Sequence, residues 1–242
     1  MKIAFFSDIH ANFPALESFF DDLDSQQVDA VYCLGDLVGY NVWPNKVIHA
    51  IRKRSIPTLM GNHDEALLEP ISKEAPQSNR TLTRSLVSDE NRAYLINLPR
   101  HISLSFVTND KPFNLLMVHG SVKAINDYMV EDYPEAEVLE MMKSQQEDVL
   151  LCGHTHKPFH RVIKDESTFK HVINIGSVGK PKDGDPRICY AIVELGQSTS
   201  SFNPDTLSVT FKRVAYDVEK AAQAVENSDF DNSFAEGLRL AK

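Results

Sequence analysis

The sequence predicts an α/β fold in four layers, two mixed β-sheets face to face with helices on both outer sides (αββα). Three observations carry this. Residues 2–60 read strand, helix, strand, helix, strand, the pattern of a βαβαβ unit. From residue 149 onward, short apolar runs follow one another closely, which predicts a mostly antiparallel second half. No repeat or low-complexity linker separates the halves, so residues 1–242 form one domain, with segment 65–99 as a helical cover inserted in it.

Residues 2–7 are apolar with little alternation, as in a strand buried on both faces. Residues 13–23 begin with Pro14, tolerated in a first helical turn, and Leu16, Phe19, Phe20 and Leu23 recur at helical spacing. Strand 28–34, helix 44–52 and strand 56–60 complete the first unit. Segment 65–99 is polar and helical, interrupted early by Pro70 and Pro76, with one long helix over 79–98. Strands over 102–107 and 114–118 flank a turn-like cluster from Thr108 to Pro112, and a helix follows over 134–145. Strands are expected at 149–152, 159–163, 171–175, 187–195 and 207–215, with a Ser-rich hairpin loop at 196–204. From Val218 a terminal helix fades into a polar tail.

The chain has 242 residues, 42% of them hydrophobic and 24% charged, enough for a sizeable core. Its net charge of −9 argues against non-specific binding to nucleic acid or to anionic membranes. It leaves a phosphate substrate open, because bound divalent cations reverse the local field. The apolar run at the N-terminus is too short for a signal peptide, and no stretch approaches the ~18 apolar residues of a spanning helix, so a cytoplasmic protein is expected. Cys33, Cys152 and Cys189 lie in strand-like runs without zinc spacing and read as buried small hydrophobes.

Five polar stretches recur, each directly after an apolar run: Asp8-Ile9-His10, Gly35-Asp36, Gly61-Asn62-His63-Asp64, His119-Gly120 and Gly153-His154-Thr155-His156. In a layered α/β fold such stretches gather at the carboxyl ends of the strands. Carboxylate, imidazole and amide are the ligand set for manganese, iron, zinc or cobalt, and the donors suffice for two ions with a shared carboxylate. Two ions can clamp a phosphate. Asp8-x-His10 and His154-x-His156 have the period of an extended segment, which sends i and i+2 to one side.

These stretches resemble the five blocks of the calcineurin-like metallophosphoesterase superfamily. Ser7-Asp8-Ile9-His10-Ala11-Asn12, Gly35-Asp36-Leu37-Val38-Gly39-Tyr40 and Asn174-Ile175-Gly176-Ser177-Val178-Gly179 are similar to its small prokaryotic, diadenosine tetraphosphatase-like branch, over roughly residues 1–195. The resemblance implies that Asp8, His10, Asp36 and His156 hold one metal, and Asp36, Asn62, His119 and His154 a second, with Asp36 bridging. It implies His63 as a non-ligating group that stabilises or protonates the leaving oxygen, and a metal-bridging hydroxide as nucleophile. It implies two divalent ions, manganese first, with iron, zinc, nickel, cobalt or magnesium as alternatives. The expected activity is hydrolysis of phosphate esters or anhydrides, as a phosphodiesterase or dinucleoside polyphosphate hydrolase. A phosphomonoesterase, or a non-catalytic protein-binding module on the same fold, is the alternative. The partner is a phosphorylated small molecule or nucleotide, and a homodimer is compatible.

Where the text departs from the family, Asn41-Val42-Trp43-Pro44 brings in the only tryptophan. Trp43 either stacks on a substrate base or is buried against the following helix, the simpler reading. Asn12, Arg80 and Trp43 are the candidate substrate contacts. Lys180, Lys182 and Arg187 beside the glycine turn 176–179 are candidate phosphate contacts, although a plain turn explains that stretch as well. Asp64 either orients His63 or caps a helix. His49, His101, His160 and His171 stand outside every motif and receive no role.

Overall fold

A computed structural model describes residues 1–68, 76–108 and 111–242. In chain order its first elements are β1 (Lys2–Phe6), α1 (Phe13–Ser25), β2 (Ala30–Cys33), α2 (Pro44–Lys53), α3 (Asn62–Glu65), α4 (Asn79–Leu86) and α5 (Asp89–Leu95). Then follow β3 (His101–Thr108), β4 (Lys111–Val118), α6 (Glu135–Gln145), β5 (Val149–Cys152), β6 (Phe159–Asp165), β7 (Thr168–Asn174), β8 (Ile188–Glu194), β9 (Ser208–Val214), α7 (Val218–Glu226) and α8 (Asn232–Leu240).

One sheet has the order β2-β1-β8-β9 and the other β3-β4-β5-β7-β6. Both are mixed. β1 pairs parallel with β2 and antiparallel with β8; β5 pairs parallel with both β4 and β7, while β6 and β3 close the second sheet antiparallel. The two-residue period of each strand assigns its side chains to different layers. Ile3 and Phe5 of β1, Leu115 and Met117 of β4, and Val149 and Leu151 of β5 fill the layer between the sheets. Ala4 and Phe6 face the other way, under α1 and α2, where Leu16, Phe19, Ile48 and Ile51 meet them. Leu116, Val118, Leu150 and Cys152 face α6 through Val138, Met141 and Met142. The four αββα layers follow from this division.

Three boundaries differ from expectation. Residues 56–60 form no strand, only a single parallel bridge between Thr58 and Cys33. Pro57 has no N–H to donate, and the Ile56 and Met60 amides bond to Ile51 and Pro99 instead. The long helix expected at 79–98 is broken at Val87, which is extended, and Ser88 restarts it by accepting the Asn91 amide. The terminal helix and tail are instead a helix pair, α7 and α8, because Asp231 caps the second one and Ala235 and Leu238 pack on Ala221, Ala222 and Val225.

The turn expected around Thr108–Pro112 falls partly on residues 109 and 110, outside those described; β3 and β4 run on until Thr108 pairs with Lys111. Within segment 65–99, residues 69–75 also lie outside. Its described part packs on α2 through Asn91 to Asn45 and Arg52 to Glu90. All three cysteines are buried and unpaired, as expected.

On the inner face of β6 and β7, two motif-free histidines pair. His160 Nε2 lies 2.9 Å from His171 Nδ1 with the rings stacked. His171 is 1% exposed, and its Nε2 has no hydrogen-bond partner among the described residues. Burial, reinforced by His160, pushes it down from 6.5 to about 4. A lowered histidine pKa leaves stability full above the unfolded value and removes it as pH falls toward the folded one. Between pH 8 and pH 5 the wild type is therefore expected to lose about 2 kcal/mol more than His171→Leu in urea denaturation. Equal losses would show that the ring is not held neutral.

Candidate metal centre

Five loops meet where β1, β2, β4 and β5 end. They bring Asp8 and His10, Asp36, Asn62 and His63, His119, and His154 and His156 to one point. The backbone does this by strained turns. Asp8, His10, Asp36, His154 and His156 all have φ between 49° and 64°, the left-handed region that non-glycine residues seldom enter. The extended geometry expected for Asp8-x-His10 and His154-x-His156 is thus corrected. The paired donors do converge, but through left-handed residues that end the strand and leave Ile9 in the core.

Two loops also touch backbone to backbone. A Cβ on Gly35 (φ 91°) would lie 2.4 Å from the Gly61 nitrogen, and one on Gly61 would lie 2.1 Å from Asp36 Oδ1. Only glycine permits that approach.

The donor atoms form three overlapping triads, each within 4.8 Å: Asp8–His10–His156, His10–Asp36–His63 and Asp36–His119–His154. Asp8 Oδ1 lies 3.2 Å from His156 Nε2, 3.7 Å from His10 Nε2 and 4.0 Å from His119 Nε2. Asp36 Oδ2 lies 3.3 Å from His119 Nε2 and 3.6 Å from His10 Nε2. Asn62 Oδ1 lies 3.0 Å from His119 Nε2. His63, expected near the phosphate and off the metal, also has a ring nitrogen among these donors.

The remaining atoms of these side chains are tied to the backbone. Asp8 Oδ2 accepts the His154 amide at 3.0 Å and Asp36 Oδ1 the His63 amide at 2.8 Å. The Nδ1 atoms of His10, His119 and His156 face the carbonyls of Val38, Leu34 and Lys180, which makes them the N–H donors and turns each Nε2 inward. What is left over fits divalent cations. Asp8 Oδ1, Asp36 Oδ2 and His154 Nε2 are buried without a hydrogen-bond partner among the described residues. His10 and His156 oppose Nε2 to Nε2 at 3.1 Å; with both rings neutral their lone pairs collide, an arrangement that a bound cation relieves.

Electrostatics point the same way. Burial alone would raise Asp8 and Asp36, yet His156 for the first and His119 for the second hold both below the usual carboxylate range. Burial opposes charge on His119 too, but Asp36 outweighs it and lifts the ring to about 10. Burial lowers His10, His63 and His154. Asp64 does not orient His63. Its two oxygens accept the Gly61 and Leu37 amides, each at 3.0 Å, locking the loops of Asn62 and Asp36 together, and burial and then Asp36 raise it to about 7.

The expected substrate contacts fare differently. Asn12 is a structural joint: its Oδ1 accepts the Ala15 amide, and its Nδ2 donates to the Gly179 carbonyl at 2.8 Å and to Tyr216 Oη at 3.1 Å. Fully buried, it has nothing left for a substrate. Trp43 is partly buried with Val42 and Leu82 against the α7–α8 pair, and not against the following helix α2 as the simpler reading had it. Arg80 lies in the first turn of α4, one residue beyond Asn79, whose side chain accepts the Tyr40 amide.

Residues 174–179 brace the centre. Val178 and Gly179 donate to the Ser7 and Asp8 carbonyls, Ser177 Oγ also donates to Asp8, and Asn174 Nδ2 donates to the Gly153 carbonyl and Thr155 Oγ1. Of the cations beside them, Arg187 pairs with Asp185 and the Lys180 ammonium donates to the Lys242 carbonyl, over the Tyr40 ring. Lys182 donates its backbone amide to the His156 carbonyl.

Two aromatic residues went unassigned in the sequence. The Tyr40 ring lies 4.8 Å from both His10 and His63, and that of Tyr128 4.4 Å from His154. For Tyr40 the position directly after Asp36-Leu37-Val38-Gly39 was a usable signal; Tyr128 had none.

Two β-sheets whose parallel strands deliver carboxylates and histidines to one edge define a metal-dependent phosphoesterase scaffold. The family model of the calcineurin-like phosphoesterase superfamily domain matches residues 1–198, and the chain belongs to that superfamily as a metallophosphoesterase. It is similar over 100% of both chains to a metallophosphoesterase from Sphaerobacter thermophilus, at 28% identity and a TM-score of 0.78. It shares the fold of the hypothetical protein PH1004 from Pyrococcus horikoshii OT3 over 98% of this chain and 97% of that one, at 20% identity and a TM-score of 0.79. In sequence it is 28% identical over 258 residues to the uncharacterized protein MJ0912 of Methanocaldococcus jannaschii, covering 99% of this chain and 98% of that protein. No helix among the described residues is long and apolar enough to cross a membrane.

Because Asn12 joins α1 to the brace at Gly179, Asn12→Ala is expected to cost about 3 kcal/mol by losing a cap and stranding buried partners. Urea denaturation checks this; unchanged stability with a raised KM would instead make Asn12 a substrate contact.

Proposed function

We propose that this chain is a dinuclear-metal-dependent hydrolase of phosphate diesters or phosphoanhydrides, nucleotides and dinucleoside polyphosphates included. The observation that carries the reading is the pair of donor triads Asp8–His10–His156 and Asp36–His119–His154, joined through Asp36 and His10, with three buried donor atoms that have no hydrogen-bond partner among the described residues. Asp8, His10, Asp36 and His156 would hold one ion, and Asp36, Asn62, His119 and His154 the other; manganese is the first choice for this mixed oxygen and nitrogen set. Bound there, divalent ions supply Lewis acidity toward phosphoryl oxygens and lower the pKa of a water.

The chain's own residues do the rest. Asp8 and Asp36, each fixed by one oxygen on a backbone amide, hold the centre's geometry. His63, whose ring lies beside His10 and Tyr40, would face a bound phosphate. Burial lowers its basicity, and an arriving phosphate anion raises it again, which suits delivery of a proton to the leaving oxygen. The left-handed turns and the glycine contact keep these groups in place before substrate arrives, which is what electrostatic preorganisation requires.

Metal-stripped protein restored with manganese, magnesium, zinc or nickel is to be assayed on bis-p-nitrophenyl phosphate, p-nitrophenyl phosphate and diadenosine tetraphosphate. Turnover is expected only with metal. It should fall about a thousandfold in Asp36→Asn, because the shared ligand is lost. In His63→Ala a fall of about a hundredfold or more in kcat, with two ions still bound, fits a lost proton donor. Turnover of p-nitrophenyl phosphate alone would make the enzyme a phosphomonoesterase, and two bound ions without turnover would leave a binding module on this fold.

A further inference from the structure

The two tyrosines at the metal centre are held differently. Tyr40 is wedged between His10, His63, Phe234 and the Lys180 ammonium. The Tyr128 ring rests on His154 alone, tilted by 56°, and 59% of the residue is exposed. Its hydroxyl makes no hydrogen bond among the described residues.

The segment carrying Tyr128 is built rather than loose. Ser121 Oγ and Tyr133 Oη both donate to Asp127 Oδ2, the Asp127 and Met129 amides bond within the loop, and Met129 is buried against the second sheet. The ring is therefore presented in a set place, tilted against His154 with more than half of the residue exposed. Starting two residues after Tyr128 and one after His154, a groove of about 540 Å³ is lined by Val130 on one segment and by Thr155, Lys157, Pro158 and Phe159 on the other, with Pro158 and Phe159 its apolar part. Val130 is itself 38% exposed. The rim carries Glu131, Asp132 and Lys157, a net negative set. Further phosphates are disfavoured there, whereas a flat neutral group is not.

We propose that Tyr128 is a stacking platform for an aromatic heterocycle, so that the substrate is a nucleotide whose base lies on Tyr128 and whose nucleoside occupies the groove beside His154. The inference rests on the reading of the centre as a phosphate-ester site. It moves base recognition away from Trp43, which the α7–α8 pair covers. Tyr128 would set affinity and substrate choice, not the chemical step.

AMP and ribose 5-phosphate differ only in the base, so calorimetric Kd values for both on manganese-loaded protein isolate stacking. The wild type is expected to bind AMP about tenfold more tightly. That preference should disappear in Tyr128→Ala and persist in Tyr128→Phe, which keeps the ring and loses the hydroxyl. Metal stoichiometry is measured on each variant to show that the centre is intact. A preference that survives in Tyr128→Ala, or one absent from a wild type that still binds inorganic phosphate, overturns the platform alone. A wild type that binds neither sugar phosphate nor inorganic phosphate overturns the phosphate-ester reading and the platform with it.

Discussion

Two buried carboxylates, Asp8 and Asp36, stand among five imidazoles with one oxygen each fixed on a backbone amide and the other without a hydrogen-bond partner among the described residues. In a dry interior such an arrangement is costly unless positive charge completes it. The histidines supply part of that charge when no cation is bound, and Asp36 raises the pKa of His119 against the opposing effect of burial. The inward turn of the Nε2 atoms of His10, His119 and His156 depends on backbone carbonyls from two loops, Leu34 and Val38 after β2 and Lys180 before β8. The loops are positioned by the strands, and the strands by the three apolar layers. The fold can be read outward from this one unsatisfied cluster.

Holding the cluster requires strain. Left-handed backbone at Asp8, His10, Asp36, His154 and His156 costs about 1 kcal/mol or more at each position. The offset is local and hydrogen-bonded: Asp64 ties the Asp36 loop to the Asn62 loop, and residues 174–179 tie the Asp8 loop to the His154 loop. Asn12 extends the same brace into α1. These groups touch no reacting atom, yet the ligand geometry depends on them, as outer hydrogen bonds do in metal sites generally. Tyr128 and the groove beyond it are where the rim changes from fixed polar groups to open apolar surface.

Much of this was legible in the sequence. Apolar runs that end in Asp, Asn or His placed the candidate donors at the ends of those runs, and the helical spacing of Leu16, Phe19, Phe20 and Leu23 placed α1 over the sheet. Errors arose where a local signal competed with a tertiary one. Residues 56–60 have strand composition, but Pro57 cannot extend the ladder. Helix 79–98 has continuous propensity, but Ser88 offers a better cap than continuation. The Asp8-x-His10 spacing suggested an extended segment, and the backbone reached the same convergence by left-handed turns.

The sequence by itself determined the layers and the order of the polar residues that end the apolar runs, because side-chain periodicity and residue chemistry are local properties. Tertiary structure alone decided that Asn12 is a joint, that Trp43 belongs to the α7–α8 wall and that Tyr128 overhangs His154. Those three side chains differ in what surrounds them, and their neighbours lie tens to hundreds of residues away in the chain. No spacing rule spans that distance; only packing closes it.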